Sequence, residues 1–370
     1  MTNNVLGLIY SNAYDSAIPE LTTLRTMGSV PFGGRYRMID FALSNMVNCG
    51  ITKVGVATKS NYQSLMDHLG SGKPWDLSRK NDGMFILPPF SSSGTSAYTN
   101  RVEALKGSMR FIERSNEEYV ILCDCNVVGN IDYEKIYDAH IEKNADITIA
   151  YMKGIKPSLK GLMSFALNED GRIENIAVNS VTNEEENYSL NIFVLRKALL
   201  ERLVNEAQSL HLNDFERDFF QRNVETLKIY GFEEKGFVRV LSSLQSFYDV
   251  NMELLDTEKR RSLFPSDRPV FTKVRDEMPT VYGLGSDVKN SLIADGCSIE
   301  GTVENCVLFR GVHIGKGAVV KNSIIMQGSY IGENSNLNCI VMDKSAVVKP
   351  NKTLSGDKSF PIYIGKEIII

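Results

Sequence analysis

Few residues of this chain have types and spacings that could do chemistry. Asp124 lies between Cys123 and Cys125 at the end of an apolar run, and Asp214 and Asp218 stand apart from it. Carboxylates of this kind suit magnesium, which needs hard oxygen ligands. The spacing of Cys123 and Cys125 is C-x-C, not the C-x-x-C of redox or zinc sites. The four histidines, His68, His140, His211 and His313, are too scattered to complete a zinc site. Arg25, Arg35, Arg37 and Arg239 are the cations for an anionic ligand or an ion-paired interface; Arg101 reads as a solvated charge. After the first apolar run come Ser11-Asn12-Ala13-Tyr14-Asp15-Ser16-Ala17-Ile18-Pro19-Glu20-Leu21. No glycine stands between Gly7 and Gly28, and no Lys or Arg before Arg25. Amides that crowd a phosphate need glycine's freedom and a cation beside them. This segment has the residues of an ordinary β–α loop instead.

The elements that must position these residues fall into two grammars. Through residue 255, apolar runs of strand length (5–10, 53–58, 119–123, 147–151) alternate with amphipathic stretches (41–49, 61–69, 102–114, 133–144). Such alternation predicts an α/β domain over 1–255 with a mostly parallel, Rossmann-like sheet covered on both faces. Its ligands belong at the carboxyl ends of the strands, on the loops after Tyr10, Thr58 and Cys123. Residues 256–280, with Lys259-Arg260-Arg261, Pro265, Pro269 and Pro279, read as an extended linker. Over 281–370 aliphatic residues recur every six positions: Ile293 and Ile299; Leu308, Ile314 and Val320; Ile325, Ile331 and Leu337; Val341 and Val347. That is the hexapeptide signature of a parallel β-helix, here of about four coils. The apolar tail 361–370 is expected to cap or pair the open coil edge.

Composition excludes several classes. The chain has 370 residues, 43% hydrophobic and 23% charged, with a net charge of −4. It is neither disordered nor a nucleic-acid binder, and no run is long enough to span a membrane. Six cysteines and no secretory signal predict reduced thiols in the cytoplasm.

The run Val30-Pro31-Phe32-Gly33-Gly34-Arg35-Tyr36-Arg37-Met38-Ile39-Asp40-Phe41-Ala42-Leu43-Ser44-Asn45 closely resembles one family, the bacterial ADP-glucose pyrophosphorylases (glucose-1-phosphate adenylyltransferases). Asp214-Phe215-Glu216-Arg217-Asp218 resembles the family's D-F-G-x-D, and Asn251-Met252-Glu253-Leu254-Leu255 its N-M-D-L-L. The resemblance implies a nucleotidyltransferase domain followed by a left-handed β-helix. The reaction it implies joins ATP and glucose 1-phosphate, with magnesium, into ADP-glucose and pyrophosphate.

Three parts of that machinery have no counterpart here. The family's G-G-x-G-x-R-L loop is replaced by the segment at Ser11 and Asn12, and Met27 stands where the family keeps lysine. Cys125 and Val240 take the places of the two metal aspartates. Asp124 is one residue early, which in a strand turns a side chain to the other face. The sugar-phosphate motif Y-x-G-T-A-D-A reads Tyr98-Thr99-Asn100-Arg101-Val102-Glu103-Ala104, with Asn100 and Arg101 for Gly and Thr. The pattern resembles the non-catalytic subunits that accompany a catalytic subunit in Gram-positive bacteria. What it implies is a chain that binds no cofactor and leaves magnesium to a catalytic partner. The expected assembly is a heterotetramer serving glycogen synthesis, with a sugar phosphate as effector. Arg25, Arg35, Arg37 and Arg239 are then the anion or interface residues. Two alternatives stand. One is an active nucleotidyltransferase whose metal site is rebuilt from Asp124, Asp214 or Asp218. The other is a free-standing sugar-phosphate sensor. A hexapeptide acyltransferase is disfavoured, because His313 sits in a regular hexad with no loop inserted between coils.

Overall fold

The apolar runs form strands whose side chains alternate between two packed layers. The protein's structure is a computed structural model that describes residues 4–89, 98, 100–180 and 183–370. Strands β1 (Val5–Tyr10), β2 (Lys53–Ala57), β3 (Gly83–Leu87) and β4 (Tyr119–Asp124) pair in parallel in the order β3-β2-β1-β4. Five more strands complete a mixed, nine-stranded sheet: β5 (Ile147–Ile155), β6 (Met163–Leu167), β7 (Ile173–Val178), β8 (Glu185–Arg196) and β9 (Ile229–Glu233). Strand β8 lies antiparallel beside β4, and β9 runs parallel to β5.

Helices cover both faces. Tyr119, Ile121 and Cys123 of β4 join one apolar cluster with α1 (Met38–Asn48). Val120 and Leu122 join the other with α2 (Arg101–Glu113). This alternation decides where the residues after Cys123 point. Helix α1 opens with a capping box: the Arg37 N–H donates to the Asp40 carboxylate at 2.9 Å. Asp40 also meets His68 Nε2 at 2.5 Å, so its partner is a histidine rather than a neighbouring arginine. Burial, partly offset by Asp40, lowers the His68 pKa.

The segment 256–280 is not extended throughout. It begins with α3 (Thr257–Leu263), whose first amides, Glu258 and Lys259, donate to Asp256. Leu263 is buried, and Phe264 stacks on Tyr36 at 4.8 Å between centroids. An apolar face, not the downstream prolines, sets the local structure there.

Residues 281–364 build a parallel β-helix of three five-stranded sheets, hence five coils rather than four. One inward ladder runs Ile299, Ile314, Ile331, Val348, another Val303, Val320, Leu337, and a third Leu308, Ile325, Met342. Met342 and Val348 therefore point inward, each one residue after the expected Val341 and Val347. A five-residue step recurs from Val303 to Leu308, Val320 to Ile325 and Leu337 to Met342, and Val341 falls one residue short of it. The tail pairs the last coil: Ile362–Ile364 lies against Ile340–Met342, and Val347 and Lys349 donate to Ile368 and Ile370 carbonyls.

Coil stacking leaves no room at some glycines. A Cβ on Gly332 would sit 2.4 Å from Pro350 N and 2.6 Å from the Lys349 carbonyl carbon. Gly332→Ala is expected to cost about 1–3 kcal/mol of unfolding free energy. The same change at Gly107, whose Cβ would meet nothing within 4 Å on its helix, should be neutral or stabilising by up to about 1 kcal/mol. Chemical denaturation of both variants checks the contrast.

The two domains share apolar packing. Leu254 and Leu263 lie in one cluster with Val307, Phe309, Ile324, Met326 and Val341 of the β-helix. The Tyr248 hydroxyl donates to the Asn322 carbonyl at 2.7 Å.

Candidate functional site

A cleft of about 500 Å³ opens at the carboxyl ends of β1, β2 and β4, lined by Tyr10, Asn12, Tyr14, Lys59, Arg101 and Glu216 among others. Asp124 is the last residue of β4 and shares the face of Val120 and Leu122, so its carboxylate reaches the start of α2 beside this cleft. There it accepts a hydrogen bond from Arg101 Nη2. Arg101 Nη1 donates to Glu216 Oε1 at 3.0 Å. The guanidinium lies 5.3 Å from the Tyr10 ring centroid and 4.9 Å from that of Phe215.

Arg101 is thus no solvated charge: its side chain is 12% exposed and Asp124's is 1% exposed. Its position at the first turn of α2, whose cap Asn100 accepts from Glu103 N, aims it inward at two carboxylates. Burial alone would lower its pKa, but Asp124 and Glu216 raise it overall. Burial pushes Asp124 up to about 6 against the pull of Arg101, and raises Glu216 likewise. Glu216 was not singled out by the sequence reading, although it stands at the glycine of the D-F-G-x-D pattern. Thr99 of the neighbouring motif lies outside the described residues.

The loop after β1 is closed on itself. Ser11 is buried, and its hydroxyl donates to the Ala57 carbonyl at 2.8 Å. Asn12 donates to Asp15 at 2.7 Å and accepts from Lys59 N at 2.7 Å. Asp15 accepts from Met27 N at 2.7 Å, and the Ser11 carbonyl from Gly28 N at 2.9 Å. The amides of Lys59, Met27 and Gly28 are spent on acceptors of this loop. Met27 is fully buried in the core. Tyr14, at φ +63°, places its ring over the cleft, its hydroxyl accepting from Asn191 Nδ2 at 2.9 Å.

Cys125 and Val240 both lie in the apolar cluster on the other face of the sheet. Asp218 accepts from the amides of Asn213 and Asp214, and Asp214 from Arg217 N, so both serve a local turn. Magnesium, which the family pattern implies, would find no oxygen ligand in Cys125 or Val240, which face away from the cleft, and the cleft-side carboxylates Asp124 and Glu216 already hold a guanidinium. The residues present do not fit it. Among the described residues no group of three or more His, Cys, Asp or Glu is placed to hold a metal ion.

The other arginines separate. Arg25 forms a two-pronged ion pair with Asp343 of the β-helix, both contacts 2.9 Å, with side chains 4% and 2% exposed. It is an interface residue between the two domains of this chain. Arg239 is paired with Glu253 and lies 4.6 Å from the Phe237 ring centroid, away from either cleft. Arg35 and Arg37 line a narrow cleft between the domains together with Lys273, Arg275, Arg310 and Lys344. Arg310 is balanced by Asp295 at 3.0 Å, and the Arg37 guanidinium donates to the carbonyl and hydroxyl of Ser64. Burial, with Arg25 and Arg275 nearby, lowers Arg37 to about 10 against the effect of Asp40. Burial, Arg37, Arg25 and Arg275 lower Lys344 to about 7, against the pull of Asp343. Lys344, Lys273 and Arg275 lie in loops far along the chain from Arg37, and no motif marks them in the sequence.

Among the described residues no helix is long and apolar enough to cross a membrane. Residues 18–257 match the family model for nucleotidyl transferases, and residues 281–359 that for the GlmU-like C-terminal hexapeptide domain. The chain is 34% identical over 367 residues to the glycogen biosynthesis protein GlgD of Bacillus subtilis, covering 99% of this chain and 97% of that one. It is 39% identical over 326 residues to the GlgD protein of Geobacillus stearothermophilus, covering 86% and 84%. To the glucose-1-phosphate adenylyltransferase of the same organism it is 33% identical over 329 residues, covering 87% and 84%. With both domains matched and near-complete coverage of relatives, the chain belongs to the glucose-1-phosphate adenylyltransferase family of nucleotidyl transferases.

Proposed function

We propose that this chain is a non-catalytic, regulatory subunit that pairs in the cytoplasm with a catalytic glucose-1-phosphate adenylyltransferase subunit, as a heterotetramer, and supports ADP-glucose synthesis for glycogen. The single observation behind this reading is the ion-paired cleft. Nucleotidyl transfer depends on neutralising charge at the transferring phosphoryl group. Here the cation at the strand ends is committed to two carboxylates, and the Met27, Gly28 and Lys59 amides to the loop after β1. Relatives named for glycogen biosynthesis support the pathway. Magnesium then acts on the partner, with this chain binding none.

In this reading the effector is a sugar phosphate, seated by its phosphate in the cationic cleft between the domains. Clustered cations that lack carboxylate partners are stabilised by a dianion. Lying between both domains, the cleft can bias their relative placement and so favour one state of a neighbouring subunit. Size-exclusion chromatography of this chain with the catalytic subunit tests the pairing. The two should co-elute as a species larger than either alone. Separate elution at micromolar concentration, with or without sugar phosphate, would leave the free-standing sensor as the better account.

A further inference from the structure

We infer that Arg101 is a tethered replacement for a free cation, its guanidinium holding the place between Asp124 and Glu216 and barring a divalent ion from it. The inference rests on the non-catalytic reading of this cleft.

Two carboxylates from distant parts of the chain, 115 residues from Arg101 in one case, converge on its two terminal nitrogens. Both are largely buried, at 1% and 14% side-chain exposure. Two buried anions this close need a cation. The chain supplies one from the first turn of α2 and clamps its plane against the Tyr10 and Phe215 rings. Three elements are thereby tied at one point: the end of β4, the start of α2 and the segment around Glu216. A bound divalent ion could tie carboxylates in the same way, but it can dissociate and an arginine side chain cannot. The cleft therefore keeps its shape without metal.

Removing the guanidinium while keeping the stacked stem should turn the site into one that demands a cation. The test uses the full chain as wild type, Arg101→Met, and Arg101→Met/Glu216→Gln. Manganese is the probe, read by its electron paramagnetic resonance and by thermal unfolding. Wild type should show no manganese-dependent shift of Tm at constant ionic strength. Arg101→Met should melt on the order of 10 °C lower and recover much of that loss with millimolar manganese, binding the ion roughly ten-fold or more tighter than wild type. The double variant, left with one carboxylate, should lose the manganese response. Equal manganese binding by wild type and Arg101→Met overturns the inference. If Arg101→Met does not fold in metal-free buffer, refolding with manganese should restore it, and failure there also overturns it. Because neither readout is turnover, a chain found to turn over ATP would defeat the non-catalytic reading while leaving this result to decide about Arg101.

Discussion

Asp343→Ala lowers the unfolding free energy by about 3–5 kcal/mol, the cost of leaving a buried guanidinium without its partner. Asp343 accepts both prongs of Arg25 at 2.9 Å, the Tyr363 hydroxyl at 3.0 Å and the Lys344 amide at 2.7 Å. Its side chain is 2% exposed, so water cannot replace these bonds. The same carboxylate thus holds the α/β domain, the last β-helix coil and the chain beside the cationic cleft. Urea denaturation measures the loss, and proteolysis within 264–280 should quicken as the domains loosen. The pair Arg25→Met/Asp343→Leu should recover most of the stability, since an apolar replacement removes both charges together. A loss near 1 kcal/mol for the single variant would mean that apolar packing and the Tyr248–Asn322 hydrogen bond join the domains without this ion pair.

Sulfate binds the cationic cleft more weakly as pH rises above 7, by roughly five-fold from pH 7 to pH 8. Sulfate keeps its charge across this range, so the dependence reports the protein. Lys344 is held down to about 7 in the folded chain, from its ordinary 10.5, by burial and by Arg37, Arg25 and Arg275. Below 7 it is charged and can grip an anion; above 7 it is neutral. The sign for stability follows. The unfolded chain binds the extra proton between about 7 and 10.5, so this lysine's contribution to stability rises with pH through that window. Below 7 the contribution is lowest, and there a bound anion stabilises most. Lys344→Met should flatten both trends, and Arg37→Ala should weaken sulfate roughly 10- to 100-fold. Thermal shifts and calorimetry with sulfate between pH 6.5 and 8.5 measure all of this. Unchanged affinity in Arg37→Ala would remove the cleft from the account.

Much of the fold was legible because it is local. Fully buried strands such as Val5–Tyr10 announce themselves as continuous apolar runs, and hexads announce a β-helix. The inward position is missed at Val341 and Val347, each one residue before Met342 and Val348, because adjacent apolar residues leave the phase ambiguous. The site was less legible because its contacts are distant. Arg25 meets Asp343 across 318 residues, and Arg101 meets Glu216 across 115. No pattern in one sequence joins such positions. Arg101 looks solvated in the sequence because its neighbours there give it no partner. Asp124, read as turned away, proved to be the strand's last residue on the cleft face. Cys125, Met27 and Val240 offer neither hard oxygen nor cation by residue type, and each is buried in the apolar core.

The most direct test of the central claim is a pyrophosphorylase assay with ATP, glucose 1-phosphate and magnesium. It compares this chain alone, the catalytic subunit alone, and the two mixed. The account predicts no turnover by this chain alone and a clear change in rate or effector response in the mixture. Turnover by this chain alone would contradict it, and would mean that Arg101 releases Asp124 and Glu216 to chemistry.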